Sequence, residues 1–407
     1  MTNATQPDGR LLRPTDDARV AIERILGVVR SQLAMDVAAM TVCANDDIRF
    51  ELIDGDARSF GLRPGETLPL VDTYCGGMLA GMLPSCISNV AADPLARALP
   101  LTDAASVGAY LGVPLYLWDG RLYGTLCCFA HGLHPTLNDR DVDFACAMAT
   151  VIAERLERQE IESEMLEIER QRVAAVLQWG QLDVVLQPIF DLQRRERIGF
   201  EVLARFEAAP ERSPAAWFEA AASVGLGEEL ELLAVRAALE LLVQLPSRAT
   251  LSINVSPGVA ASDALFELVE PVAERVILEV TEHARVDDYE RLETALQRLR
   301  THGARIAIDD VGAGFASLRH ILGLCPDIVK LDPSLTRDID GDPARRALAA
   351  SLVSFAREID ATIAAEGIES PEELTLLRDL GIDYGQGFYL GPPQPLLEAL
   401  SATVSAN

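Results

Sequence analysis

Ile306-Ala-Ile-Asp-Asp310 is a short apolar run that ends on two adjacent carboxylates, and the C-terminal half repeats the pattern. Phe200-Glu-Val-Leu-Ala-Arg205 carries Glu201, Leu251-Ser-Ile-Asn-Val-Ser256 carries Asn254, and Ile277-Leu-Glu-Val-Thr-Glu282 carries Glu279. A short apolar run bounded by polar residues reads as a buried strand. A carboxylate at its end loses hydration unless a partner compensates it. Repetition of the pattern predicts parallel strands whose C-terminal ends converge on one site, as at the mouth of a barrel. Oxygen donors without His or Cys favour Mg²⁺ or Mn²⁺ over zinc.

Strands predicted to end near Arg205, Val255, Val280, Asp309, Leu331 and Glu366 alternate with amphipathic helices over 228–245, 289–301 and 345–359. That alternation predicts an α/β fold, a TIM-like (β/α)8 barrel.

At 407 residues the chain exceeds one typical domain. Residues 1–17 read as a mobile polar leader. Residues 18–154 form a smaller α/β domain, with a helix over 20–33, strands over 38–43, 50–53, 109–117 and 122–129, and a last helix beginning near 139. A turn at Trp118-Asp-Gly120 joins the last two strands. Residues 155–178 read as a helical linker and 179–407 as the barrel. The apolar positions Ile152, Leu156, Ile161, Met165 and Ile168 recur near heptad spacing along the linker, which predicts a homodimer through a helical seam.

The net charge of −27 argues against a duplex nucleic-acid surface. It leaves room for a small dinucleotide, because bound divalent ions invert the field around carboxylates. Seven cysteines, an odd number without a Cys-x-x-Cys pair, read as reduced and mostly buried thiols. No apolar run reaches membrane-spanning length and the first ten residues lack the apolar core of a signal peptide, so the expectation is a cytoplasmic protein without a membrane span.

Further motifs join the strand-end acids: Gln187-Pro-Ile189, Asp309-Asp-Val-Gly-Ala-Gly-Phe315, Asp327-Ile-Val-Lys330, Ala365-Glu-Gly-Ile-Glu369 and Gln386-Gly387. With Glu201-Val-Leu203 they make the C-terminal half resemble the EAL domain, the cyclic di-GMP phosphodiesterase family. The resemblance implies a barrel with one antiparallel strand and two Mg²⁺ or Mn²⁺ ions in the site. Glu201, Asn254, Glu279 and Asp309 would hold one ion, and Asp309 with Asp310 the other. Lys330 would orient water and stabilise phosphoryl charge, and Glu366 would be either a metal ligand or the general base. Gln187, Leu203, Arg205 and Gln386 would bind or position cyclic di-GMP and water. Glu282 would support the loop 311–318, and Glu369 would support that loop or only a strand end. Asp327 and Asp332 read as structural, flanking Lys330 on the opposite strand face.

Val202 stands where the family has Ala, and the loop Val311-Gly-Ala-Gly-Phe-Ala-Ser317 lacks the hydroxyls of the family's usual Phe-Gly-Thr-Gly-Tyr-Ser-Ser. The segment Trp217-Phe-Glu-Ala-Ala-Ala-Ser-Val-Gly225 departs from the family pattern as well. Tyr74-Cys75, Gly108-Ala-Tyr-Leu-Gly-Val-Pro-Leu115 and Gly120-Arg-Leu-Tyr-Gly-Thr-Leu-Cys127 make the N-terminal domain resemble a GAF domain, a sensory module. Its input is expected to be a small molecule or a redox event, with Cys75 one candidate. The reading is an enzyme that linearises cyclic di-GMP to 5′-pGpG under control of the sensory domain. Its alternative is a catalytically silent cyclic di-GMP receptor that signals through the linker.

Overall fold

A computed structural model of the chain describes residues 13–280, 288–311 and 321–401. It divides into two compact units, Met1–Met165 and Leu166–Asn407.

The first unit opens on the helix Asp16–Gln32, whose Ile22, Leu26 and Val29 share one buried face at helical spacing. Asp16 and Asp17 in its first turn and Arg30 in its last complement the helix dipole. Six strands follow: β1 (Val37–Ala44), β2 (Asp47–Gly55), β3 (Thr67–Pro69), β4 (Cys86–Ile87), β5 (Ala109–Tyr116) and β6 (Leu122–Ala130). They form one antiparallel sheet in the order β3-β2-β1-β6-β5-β4. The longer strands match the expected positions; β3 and β4 are too short to carry an alternation signal.

Central β1 is buried along nearly its whole length because both faces of the sheet are covered. Ala38, Met40 and Val42 face the helices. Val37, Ala39 and Cys43 face a second core that contains Tyr74, Tyr110 and Phe129. Ring packing fills that second core, with Tyr74 4.9 Å and Phe129 5.6 Å from Tyr110. Cys75 lies in it, buried, its Sγ accepting from Thr125 Oγ1 at 3.1 Å and Tyr110 OH at 3.6 Å. A hydrogen bond with Cys127 is the main cause that holds the Cys75 thiol below its ordinary range. All seven cysteines are free thiols.

The linker and the last helix of the first domain are one helix, Asp139–Trp179. This corrects the predicted seam. Ile152 and Leu156 are buried in the first unit's core, packed with Leu126 and Met40, and leave Ile161, Met165 and Ile168 as the exposed apolar positions. No helix among the described residues is long and apolar enough to cross a membrane.

The second unit is a closed barrel of β7 (Leu182–Asp191), β8 (Glu196–Phe206), β9 (Thr250–Val255), β10 (Val276–Val280), β11 (Arg305–Val311), β12 (Ile328–Leu331), β13 (Thr362–Ala365) and β14 (Tyr384–Gly385). β7 runs antiparallel to both its neighbours, β8 and β14, and the remaining pairs are parallel. The helices Gly227–Leu241, Tyr289–Thr301 and Pro343–Glu358 follow the expected spans. Val235, Leu296 and Val353 bury their apolar faces against outward-facing strand residues such as Val202, Ile253 and Leu278. The alternating positions of the strands therefore point inward, and there the polar residues collect.

Candidate active site

Lys330 on β12 is 3% exposed. Its Nζ lies 2.5 Å from Glu366 Oε1, 2.8 Å from Glu279 Oε2, 3.0 Å from Asp309 Oδ1 and 3.9 Å from Glu201 Oε2. Two amides complete the network. Asn254 Nδ2 donates to Glu201 Oε1 at 3.0 Å, and Gln386 Nε2 donates to Glu201 Oε2 at 2.5 Å and to Glu366 Oε1 at 3.2 Å. Residues from six strands or strand ends thus meet around one ammonium.

Each element brings its residue in by a different local device. Glu201 stands in the interior of β8 rather than at its end, and reaches the site because its alternation points inward. Asn254 and Glu279 are the penultimate residues of β9 and β10 and are paired with each other in register. Glu366 and Gln386 follow β13 and β14 directly. Gly387, at φ +157°, allows the close approach behind Gln386, since a Cβ there would stand 2.2 Å from the Ile368 backbone nitrogen.

Asp309 and Asp310 were expected to share the mouth because their strand terminates there, yet β11 continues to Val311. Successive strand residues normally face opposite ways. Asp310 instead adopts φ 55°, and the β11–β12 register shifts between Ile308 and Val311. This left-handed residue, uncommon outside Gly, lets both carboxylates approach Glu366; one oxygen of each of the three lies within 4.8 Å of the others.

The electrostatics follow from one cation shared among several acids. Burial pushes Glu279 up to about 8, with Lys330 opposing the shift and Glu201 and Asp309 adding to it. Glu366 is likewise raised well above the carboxylate range, by burial first, although an ion pair with Lys330 would lower it. Lys330 is also raised, against the effect of its own burial, by the four carboxylates. The surplus of acid over this one ammonium adds to the upward shift of both, on top of burial for Glu366 and against burial for Lys330. Asp310 is pushed up to about 6, by burial, then by Asp309 and Asp332.

Asp309 Oδ1 is buried and makes no hydrogen bond; Lys330 Nζ stands at ion-pair distance from it without hydrogen-bond geometry. An orphaned anionic oxygen, surplus negative charge and an all-oxygen donor set fit a hard divalent cation. Among the described residues, Asp309, Asp310 and Glu366 are the ones gathered closely enough for one ion, while Glu201 and Glu279 are joined here through Lys330.

The other expected residues are placed as follows. Gln187 is opposite Glu201 in the β7–β8 pairing, buried, its Nε2 donating to Gly391 O at 3.3 Å. Leu203 is half-buried further along β8, and Arg205 is exposed near the strand's end, its Nη1 donating to Ala204 O at 2.8 Å. Glu369 accepts from Arg337 Nη2 at 2.5 Å. Glu282 and residues 312–320 of the glycine-containing loop lie outside the described residues. Asp327 is structural, its Oδ2 receiving Arg300 Nε and Ile306 N.

Asp332 was expected on the opposite face from Lys330, but it interacts with Asp310. It follows the end of β12, so strand alternation no longer governs it. The sequence reading also missed Glu231, which accepts from the backbone N–H of Ser256 at 2.8 Å and so fixes the chain just after Asn254. It lies in the helix Gly227–Leu241, and no spacing rule connects it to β9.

Comparison with known proteins gives two family matches: the EAL domain model over residues 169–393 and the GAF domain model over residues 17–156. An uncharacterized protein of Azorhizobium caulinodans is 27% identical over 95% of this chain and 52% of its own length. The cyclic di-GMP phosphodiesterase PdeF of Escherichia coli is 28% identical over 56% of this chain and 32% of its own. The chain therefore spans about half or less of the length of these relatives. Among solved structures, an EAL domain protein from Listeria monocytogenes matches with a TM-score of 0.51 at 24% identity, covering 56% of this chain and 95% of that one, a likeness of fold.

Proposed function

Because the chain belongs to the EAL domain family, matched over more than half its length, we propose that it is a metal-dependent phosphodiesterase that opens cyclic di-GMP to linear 5′-pGpG. The observation that carries this reading is the oxygen-only site in which one buried ammonium faces four carboxylates. Asp309, Asp310 and Glu366 would hold one Mg²⁺ or Mn²⁺, and Glu201, Asn254, Glu279 and Asp309 a second. Bound divalent ions supply a hydroxide at neutral pH and neutralise charge on the phosphoryl oxygens.

The chain's own residues do the rest. Lys330 keeps its proton through neutral pH and directs that charge at the phosphoryl group and the attacking water. Gln386, held by Glu201 and Glu366, positions water between them. Glu366, in contact with both Lys330 and Gln386, is a metal ligand or the general base. Arg205 meets a substrate phosphate at the mouth, and Gln187 and Leu203 line the approach along β7 and β8. Glu369, tied to Arg337, supports the segment after β13, and Glu282 supports the loop after β11.

Regulation enters through the GAF domain, whose input is a small molecule or a redox event. The packed core around Cys75 makes that thiol a structural group first. The protein acts as a homodimer that pairs through Ile161, Met165 and Ile168. Purified protein incubated with cyclic di-GMP and Mg²⁺ or Mn²⁺ should form the linear product. Binding without turnover in either metal would replace the enzyme by a receptor.

A further inference from the structure

We infer that Arg212 is a positioning residue for Arg205: with Glu169, Trp217 and Phe206 it clamps the last turns of the helix Asp139–Trp179 to the end of β8. The inference rests on the reading of Arg205 as a substrate contact. Arg212 grips Glu169 with both arms of its guanidinium, Nη1 to Oε1 and Nη2 to Oε2, the latter at 3.0 Å. A two-pronged pair of this kind fixes angle as well as distance, which a lysine could not do. Arg172 Nη1 steadies the same carboxylate at 3.2 Å, and the hydrogen bond from Arg212 is the main cause that holds Glu169 below the usual carboxylate range.

The clamp continues inward. The Arg212 guanidinium lies over the Trp217 ring at 4.9 Å, and Trp217, fully buried, stacks on Phe206 at 5.5 Å. Val173 and Val176 of the long helix pack into the same cluster as Trp217, Ala221 and Leu230. Phe206 is the last residue of β8 and the neighbour of Arg205.

A second, covalent route leads to the same place. The helix ends at Trp179, Gly180 turns the chain with φ +61°, and β7 begins at Leu182. Leu182 and Asp183 pair with Phe206 and Arg205. Gln181 N–H donates to Val176 O and Gln181 O accepts from Glu207 N–H, each at 3.3 Å. A shift or rotation of the helix at Glu169 therefore has a rigid path to Arg205, while Glu201, the proposed metal ligand on the same strand, stands four residues further along β8. It should change substrate capture before it changes chemistry. Trp217 belongs to the segment that departs from the family pattern, so this route is a property of this chain rather than one that the resemblance supplied.

The test uses the full chain. In Arg212→Ala, backbone amides of 203–207 should exchange about fivefold faster or more, and cyclic di-GMP should bind about five- to tenfold more weakly by calorimetry in chelator. kcat at saturating substrate and Mg²⁺ should stay within about twofold, a split that general loss of fold would not give. The exchanged pair Glu169→Arg with Arg212→Glu should recover both exchange and binding. If Arg212→Ala fails to fold, Arg212→Lys keeps the charge, loses the fork and carries the same expectation. Unchanged exchange and binding in a folded variant, beside normal wild-type binding, would overturn the clamp. A wild-type chain that bound no cyclic di-GMP would overturn the functional reading and Arg205's role with it.

Discussion

Lys330→Met keeps the side chain's length and removes the only cation that the described residues place among Glu201, Glu279, Asp309 and Glu366. At an effective dielectric near 20, unit charges about 2.8 Å apart interact by about 6 kcal/mol, so the four contacts cannot simply be added. Two effects limit the loss. Burial already shifts Glu279 and Glu366 towards their neutral forms. Relaxation of the site and entry of water offset part of the rest. What remains matches the cost of breaking a buried pair, about 3–5 kcal/mol. For a barrel of this size that lowers the unfolding midpoint by about 6–20 °C.

The sign with pH is fixed by the upward shift of Lys330. Its contribution is complete below the ordinary lysine range and is lost only as pH rises through the higher folded value, so the loss in Lys330→Met should be full at pH 7. Calorimetric melts of wild type and Lys330→Met, in chelator and in excess Mn²⁺, provide the assay. The deficit should be largest in chelator and shrink with metal, because a bound ion replaces the missing charge. Equal midpoints in chelator would refute the claim that one ammonium holds the acids together.

Glu201→Ala and Asp309→Ala should each lower cyclic di-GMP turnover by about 100-fold or more, as chelator should in wild type, with steady-state rates as the check. Glu366→Gln distinguishes ligand from base: recovery of turnover in excess Mn²⁺ identifies the ligand role, and persistent loss at full metal occupancy the base. If Ile161, Met165 and Ile168 form the dimer seam, Glu157, Glu162 and Glu164 flank it with like charge, so sedimentation should show tighter association at high salt, where repulsion is screened.

The barrel was legible because its helices obey a 3.6-residue period and most of its strands carry a polar residue beside their C-terminal end; β7 and two-residue β14 were not placed as strands, since neither differs from its surroundings in pattern. Apart from Glu201, which stands inside β8, the acids were legible at or beside strand ends, but the means by which two of them converge was not. Asp309 and Asp310 share the mouth through a left-handed Asp310 that no neighbouring Gly announces. Asp332 and Glu231 reach the site's surroundings through a strand end and a helix that only the folded chain brings there. The seam misled for a related reason. Ile152 and Leu156 continue its spacing, but periodicity identifies an apolar face without saying what covers it, and the first unit's own core does.

The central claim is that these acids and Lys330 hydrolyse a cyclic dinucleotide with the help of divalent metal. The purified chain with cyclic di-GMP, followed by chromatography in Mg²⁺, in Mn²⁺ and in chelator, tests it most directly. The account predicts conversion to 5′-pGpG with either metal and none in chelator. Intact cyclic di-GMP in all three, with the protein folded and the dinucleotide bound, would contradict it.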